Sequence, residues 1–156
     1  MKLPQFPVEG GCICGAVRYR ITAPPLGVYA CHCKDCQRSS GAGFTLSMIV
    51  RTETLELTAG LLAPYDKSAD SGRTVRVMRC PHCGVNVYNE PLASPHMRVV
   101  KPGTLDDASW AVPVGNIWTA SALPWVYIDP AVPNFPGQPA DRQPLFDAFA
   151  AAVTAG

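Results

Sequence analysis

Charge is scarce in this chain, and neither sign prevails. Only 16% of the 156 residues are Asp, Glu, Lys or Arg, and 13 basic against 12 acidic residues leave a net charge of +1. Without a basic excess there is no electrostatic footprint for nucleic acid or an anionic membrane, so neither is expected as a partner. Long apolar runs are missing too, and every apolar stretch is far too short to span a bilayer. The opening Met1-Lys2-Leu3-Pro4-Gln5-Phe6-Pro7 has no apolar core and does not read as a secretory signal. Internal repeats and heptads are absent. A cytoplasmic location follows as the expectation, and there thiols stay reduced. The odd number of cysteines, 7, argues against a closed disulfide framework.

Uninterrupted stretches for long helices are equally rare, because 16 prolines and 13 glycines break the chain often. Short strands joined by turns are expected. A hydrophobic fraction of 47% suits a packed core rather than disorder. The length fits one domain over residues 1–156, with a core near 8–128 and a proline-rich arm and short helix over 129–156. Gly15–Thr22 alternates, with Val17, Tyr19 and Ile21 on one side and Arg18, Arg20 and Thr22 on the other. Strands are also expected over Phe44–Val50, Thr54–Thr58, Arg73–Arg79, Val85–Tyr88 and Met97–Val100. The segment from Asp129 to Pro144 reads as an extended surface arm. Leu145–Val153 carries the stripe Leu145, Phe146, Phe149 and Val153 of a short helix.

What the chain does have is cysteine in three tight clusters: Cys12-Ile13-Cys14, Cys31-His32-Cys33-Lys34-Asp35-Cys36 and Cys80-Pro81-His82-Cys83. Two thiolates one or two residues apart can close on one metal ion from a single turn. A structural zinc takes four ligands, and a catalytic zinc takes three with one position open. Seven thiols divide into four and three. Strand, Cys80-x-x-Cys83-Gly84, strand is the pattern of a zinc knuckle at a hairpin tip, with Gly84 supplying a backbone conformation other residues resist. Cys12-x-Cys14-Gly15 before a strand looks like its partner, giving a tetrathiolate site from Cys12, Cys14, Cys80 and Cys83. Cys31, Cys33 and Cys36 remain. They fit an open zinc site, a second closed zinc with His32, His82 or Asp35 as fourth ligand, or a metal-free redox trio. His32, His82 and His96 read as turn or surface residues, and His32 and Tyr88 as weak candidates for proton transfer. The Ser39-Ser40-Gly41-Ala42-Gly43 turn is a candidate substrate loop or a simple hairpin turn.

The stretch Gly10-Gly11-Cys12-Ile13-Cys14-Gly15-Ala16-Val17-Arg18-Tyr19, followed by Cys31-His32-Cys33-Lys34-Asp35-Cys36-Gln37-Arg38 and Cys80-Pro81-His82-Cys83-Gly84, resembles the glutathione-dependent formaldehyde-activating enzyme (GFA) family, which includes centromere-protein-V-like proteins. Pro102-Gly103-Thr104-Leu105-Asp106-Asp107, Ser121-Ala122-Leu123-Pro124-Trp125 and the tail near Pro133-Asn134-Phe135 extend the likeness. The resemblance implies an all-β, zinc-stapled β-tent of small antiparallel sheets with short or no helices. It implies structural zinc ligands at Cys12, Cys14, Cys80 and Cys83, and catalytic zinc ligands at Cys31, Cys33 and Cys36. Two zinc ions per chain are then expected, the second labile. The implied activity is that of a carbon–sulfur lyase joining a small thiol such as glutathione reversibly to an aldehyde such as formaldehyde. A zinc-stabilised protein-interaction module without catalysis is the alternative. The family often carries His where Asn116 stands, and aromatic or apolar residues where Arg79 stands.

Overall fold

The computed structural model describes residues 1–69 and 72–155. In chain order its elements are β1 (Val8–Gly11), β2 (Arg18–Ile21), β3 (Gly27–Cys31), α1 (Lys34–Ser40), β4 (Thr45–Arg51), β5 (Leu55–Ala59), β6 (Ala63–Ser68), β7 (Thr74–Arg79), β8 (Asn86–Pro91), β9 (Met97–Val100), β10 (Asn116–Ile117), β11 (Asn134–Phe135) and α2 (Gln143–Thr154). Strands β1-β2-β5 form an antiparallel three-stranded sheet. The other eight form one sheet in the order β11-β10-β3-β4-β9-β8-β7-β6. The fold is mostly β, as expected, but one sheet is larger than expected. It also holds two parallel pairings, β10 with β3 and β10 with β11.

The period of two in each strand sorts its side chains between two cores. Val28 of β3, Met48 and Val50 of β4 and Val100 of β9 face a core shared with Val17, Tyr19 and Ile21 from the smaller sheet. Tyr29 and Cys31, Ile49, Met97 and Val99 face the opposite way, onto a second core closed by Ile117 and Leu145. Hence β3 is buried at all five positions, with no polar alternation to announce it as a strand. On β2 the outward residues pair across the sheet surface: Arg20 Nε donates to Glu56 at 2.7 Å, and Arg18 Nη1 to Asp106 at 2.9 Å. Inward, the Tyr19 hydroxyl meets Thr104 Oγ1 at 2.7 Å.

Two expectations need correcting. The segment after Cys33 is a helix, α1, and not only a turn before β4. The Cys33 sulfur caps it by accepting the Cys36 N–H at 3.4 Å, and Gly41 ends it at φ 64°, the left-handed conformation glycine favours. Cysteine is an unusual cap, so the usual start signal was absent. The proline-rich segment is also not merely a surface arm. Its β11 adds a strand to the large sheet beside β10, and Phe135 packs against the second core. Helix α2 covers the expected stripe, with Leu145 and Phe149 buried.

Candidate metal centres

Cys12 and Cys14 lie in the turn between β1 and β2, and Cys80 and Cys83 in the turn between β7 and β8. The two turns share one construction. Gly15 N–H donates to Cys12 O at 3.1 Å and Gly84 N–H to Cys80 O at 3.0 Å, with the glycines at φ 75° and 74°. This geometry turns the sulfurs inward and aims amides at them, as Val17 N–H does on Cys12 Sγ at 3.3 Å. The Val85 amide, and then the Cys14 amide, hold the Cys83 thiol down at about 6. All four sulfurs lie within 4.8 Å of one another. Cys12 and Cys14 are 3.4 Å apart, and Cys14 and Cys80 3.7 Å. Four sulfurs in a regular tetrahedron about a zinc ion would be separated by about 3.8 Å, so the donor set fits that metal. One turn belongs to the small sheet and the other to the large one, so this group bridges the two.

The second group is Cys31, Cys33 and Cys36, whose sulfurs also lie within 4.8 Å of one another. Cys31 is the buried last residue of β3, Cys33 caps α1, and Cys36 lies in the first turn of that helix. The three sulfurs share their protons. Hydrogen bonding to Cys33, and then to Cys36, pushes the Cys31 thiol up. Donation from Cys31 and Cys33 pulls Cys36 far down, with help from the Lys101 charge and the Thr45 hydroxyl. Cys36 is thus the most acidic of the three. Three soft, crowded sulfurs on a short segment suit zinc or another thiophilic ion.

None of the side chains considered as a fourth ligand joins the trio. Asp35 is engaged by Lys67 Nζ at 2.5 Å. His82 is exposed. His32 departs from its expected surface position: it is 1% exposed, its ring packs on Phe44 at 5.3 Å, and its Nε2 meets Asn116 Oδ1 at 3.0 Å. Since Asn116 Oδ1 can only accept, His32 Nε2 carries the proton. Asn116 Nδ2 in turn donates to Asn134 Oδ1 at 2.8 Å, so Asn116 ties the end of β3 to the C-terminal arm. Neither His32 nor Tyr88 borders the cavities beside the trio.

Two cavities meet at Cys36. The larger, about 980 Å³, runs from Cys36 to Cys83 and is bordered by Ser39, Ser40, Arg79 and Lys101. The candidate substrate loop therefore contributes its serines to a cavity wall. The smaller, about 130 Å³, is bordered by all three cysteines together with Tyr29, Lys101, Trp118 and Arg142. Sequence reading missed Lys101, Tyr29 and Arg142. They come from three distant elements, and nothing in their local pattern sets them apart.

The fold and site thus define a β-rich domain carrying two cysteine groups that could each hold a metal ion. Residues 7–121 match the family described as glutathione-dependent formaldehyde-activating enzyme, and the chain belongs to that family. Two fungal proteins provisionally given the same name are similar. One, from Sordaria macrospora, is 29% identical over 56% of this chain and 38% of its own length. The other, from Emericella nidulans, is 34% identical over 54% of this chain and 44% of its own. The chain thus spans less than half the length of these curated relatives. A crystal structure of a Rhodobacter sphaeroides protein superposes with a TM-score of 0.52 at 17% identity, covering 81% of this chain and 98% of that one, a likeness of fold.

Proposed function

We propose that this chain is a zinc-dependent carbon–sulfur lyase, reversibly joining a small thiol such as glutathione to an aldehyde such as formaldehyde. The observation that carries the reading is the unequal division of the cysteines. Four sulfurs form one group between the sheets, while three, with no fourth ligand among the described residues, border the smaller cavity and reach the larger one through Cys36. In this reading Cys12, Cys14, Cys80 and Cys83 hold a structural zinc and Cys31, Cys33 and Cys36 a catalytic one.

A zinc ion held by Cys31, Cys33 and Cys36 would supply the positive charge that favours the thiolate form of a substrate thiol. The remaining work falls to the chain. The larger cavity has room for a tripeptide-sized thiol, and its wall presents Arg38, Arg79 and Lys101 to negative groups. Lys101 and Thr45 stabilise negative charge at Cys36. The thiol sulfur bonds to the aldehyde carbon, the carbonyl double bond opens, and the thiol proton ends on the new hydroxyl. The reverse reaction breaks the carbon–sulfur bond.

The test is metal content per chain in protein purified under reducing conditions, with the visible spectrum of the cobalt-substituted form followed as glutathione is added. Two metal ions per chain, one of whose spectra changes with the thiol, is the expected result. Two ions indifferent to thiol would mean two closed sites, and the protein would then be a zinc-stabilised interaction module.

A further inference from the structure

The smaller cavity is built for more than a neutral one-carbon aldehyde. Its volume of about 130 Å³ leaves room for more than formaldehyde. Three cations border it, and they are not equivalent. Lys67 is paired with Asp35. Lys101 borders the cavity with Cys36 and donates to Thr45 Oγ1 at 3.5 Å. Arg142 has no carboxylate partner among the described residues. Its Nε is buried without a hydrogen-bond partner, and Nη1 reaches only the Met97 sulfur, at 3.9 Å. The Nε itself is shut off from the cavity, but a guanidinium at a cavity wall with no carboxylate partner is a group that a planar carboxylate satisfies. Tyr29, Ser47 and Gln138 border the same cavity with further polar groups. Trp118 forms part of its wall with its backbone at φ 61°, a conformation a tryptophan rarely adopts and one concentrated at functional sites.

We propose that the small cavity receives an aldehyde bearing its own carboxylate, a short 2-oxo acid of the glyoxylate type, with Arg142 binding the carboxylate while the carbonyl carbon faces the trio. This rests on the lyase reading and names its electrophile. The thiol occupies the larger cavity, and the two substrates meet at Cys36, which borders both. The sulfur–carbon bond forms as the carbonyl opens, the thiol proton passes to the new hydroxyl, and the carboxylate is unchanged. The product is an S-linked 2-hydroxy acid, and no oxidant or reductant is needed.

The experiment compares glyoxylate with acetaldehyde, a neutral aldehyde of the same carbon count, as partners of glutathione. The metal-loaded protein is used and the rate of adduct exchange is read by NMR. The wild-type protein should favour glyoxylate. Arg142→Gln should lower the ratio of the two kcat/KM values by about tenfold or more, with Arg142→Lys retaining part of the preference. No preference in the wild type, or a ratio unchanged in Arg142→Gln, would overturn the proposal. An independent readout is the Arg142 Nε–H signal, assigned by its loss in Arg142→Gln. Propionate should shift it and neutral propionamide should not; an unmoved signal, or an equal shift by propionamide, would again overturn the proposal. If neither aldehyde reacts, the lyase reading falls by itself, and the propionate titration still decides whether a carboxylate site exists.

Discussion

Replacing Cys80 by Ser should destabilise the protein far more than replacing Cys36 by Ser. The bridge from Cys14 to Cys80 spans 66 positions of sequence. A cross-link closing a loop of that size removes about 4 kcal/mol of conformational freedom from the unfolded chain. A metal held by both turns would act as that cross-link, tying the small sheet to the large one. Cys31 to Cys36, in contrast, spans six residues of one local segment, and the same relation gives about 2 kcal/mol. Both ends of that segment are also held by β3 and α1 without any metal. For a chain of this length about 4 kcal/mol corresponds to a fall in Tm of about 10 °C. Thermal unfolding of metal-loaded wild type, Cys80→Ser and Cys36→Ser, followed by circular dichroism at matched protein and zinc concentrations, reads the difference. Cys80→Ser should melt about 10 °C below the wild type and Cys36→Ser less than half as far. Equal losses in the two variants, or a Cys80→Ser protein as stable as the wild type, would refute the division into a bridging and a local cluster.

Asn116→Ala leaves the Nε2–H of a fully buried His32 without its acceptor and frees the arm at Asn134. A loss of about 1–3 kcal/mol is expected in denaturant unfolding. Asp106, hydrogen-bonded and charge-paired with Arg18, has its carboxyl held below the ordinary carboxylate range. Its contribution is therefore present above the unfolded carboxyl pKa and is lost as pH falls through the lower folded value. Both side chains are largely in water, so Asp106→Asn should cost no more than about 1 kcal/mol at neutral pH and nothing in strong acid, as read from urea midpoints across pH.

The sequence made legible what short-range chemistry controls. The knuckle turns were readable because cysteine spacing and Gly15 and Gly84 sit within a few residues of each other. The strand β2 was readable because Val17, Tyr19 and Ile21 alternate with polar residues. The stripe of α2 was readable for the same reason at helical period. β3 was not, because burial on both faces erases alternation. Helix α1 was not, because a cysteine sulfur serves as its cap. The pairing of β10 with β11 depends on four residues brought together across the sheet, and no local pattern encodes such a contact. His32 was misplaced because nothing in Cys-His-Cys shows that Phe44 and Asn116 enclose the ring. The cavity residues Tyr29, Lys101 and Arg142 are ordinary in their own segments and acquire a role only through topology.

The wall that Arg142 gives to the small cavity comes from a part of the chain beyond residues 7–121, the stretch that carries the family pattern. The cysteine groups and this part of the wall therefore come from separate stretches of the chain. Both metal groups are complete before residue 84, yet β11, Leu145 and Phe149 bind the tail into the large sheet and the two cores. Exchanging tails between relatives would therefore change the packing of both cores together with whatever the tail presents to the trio.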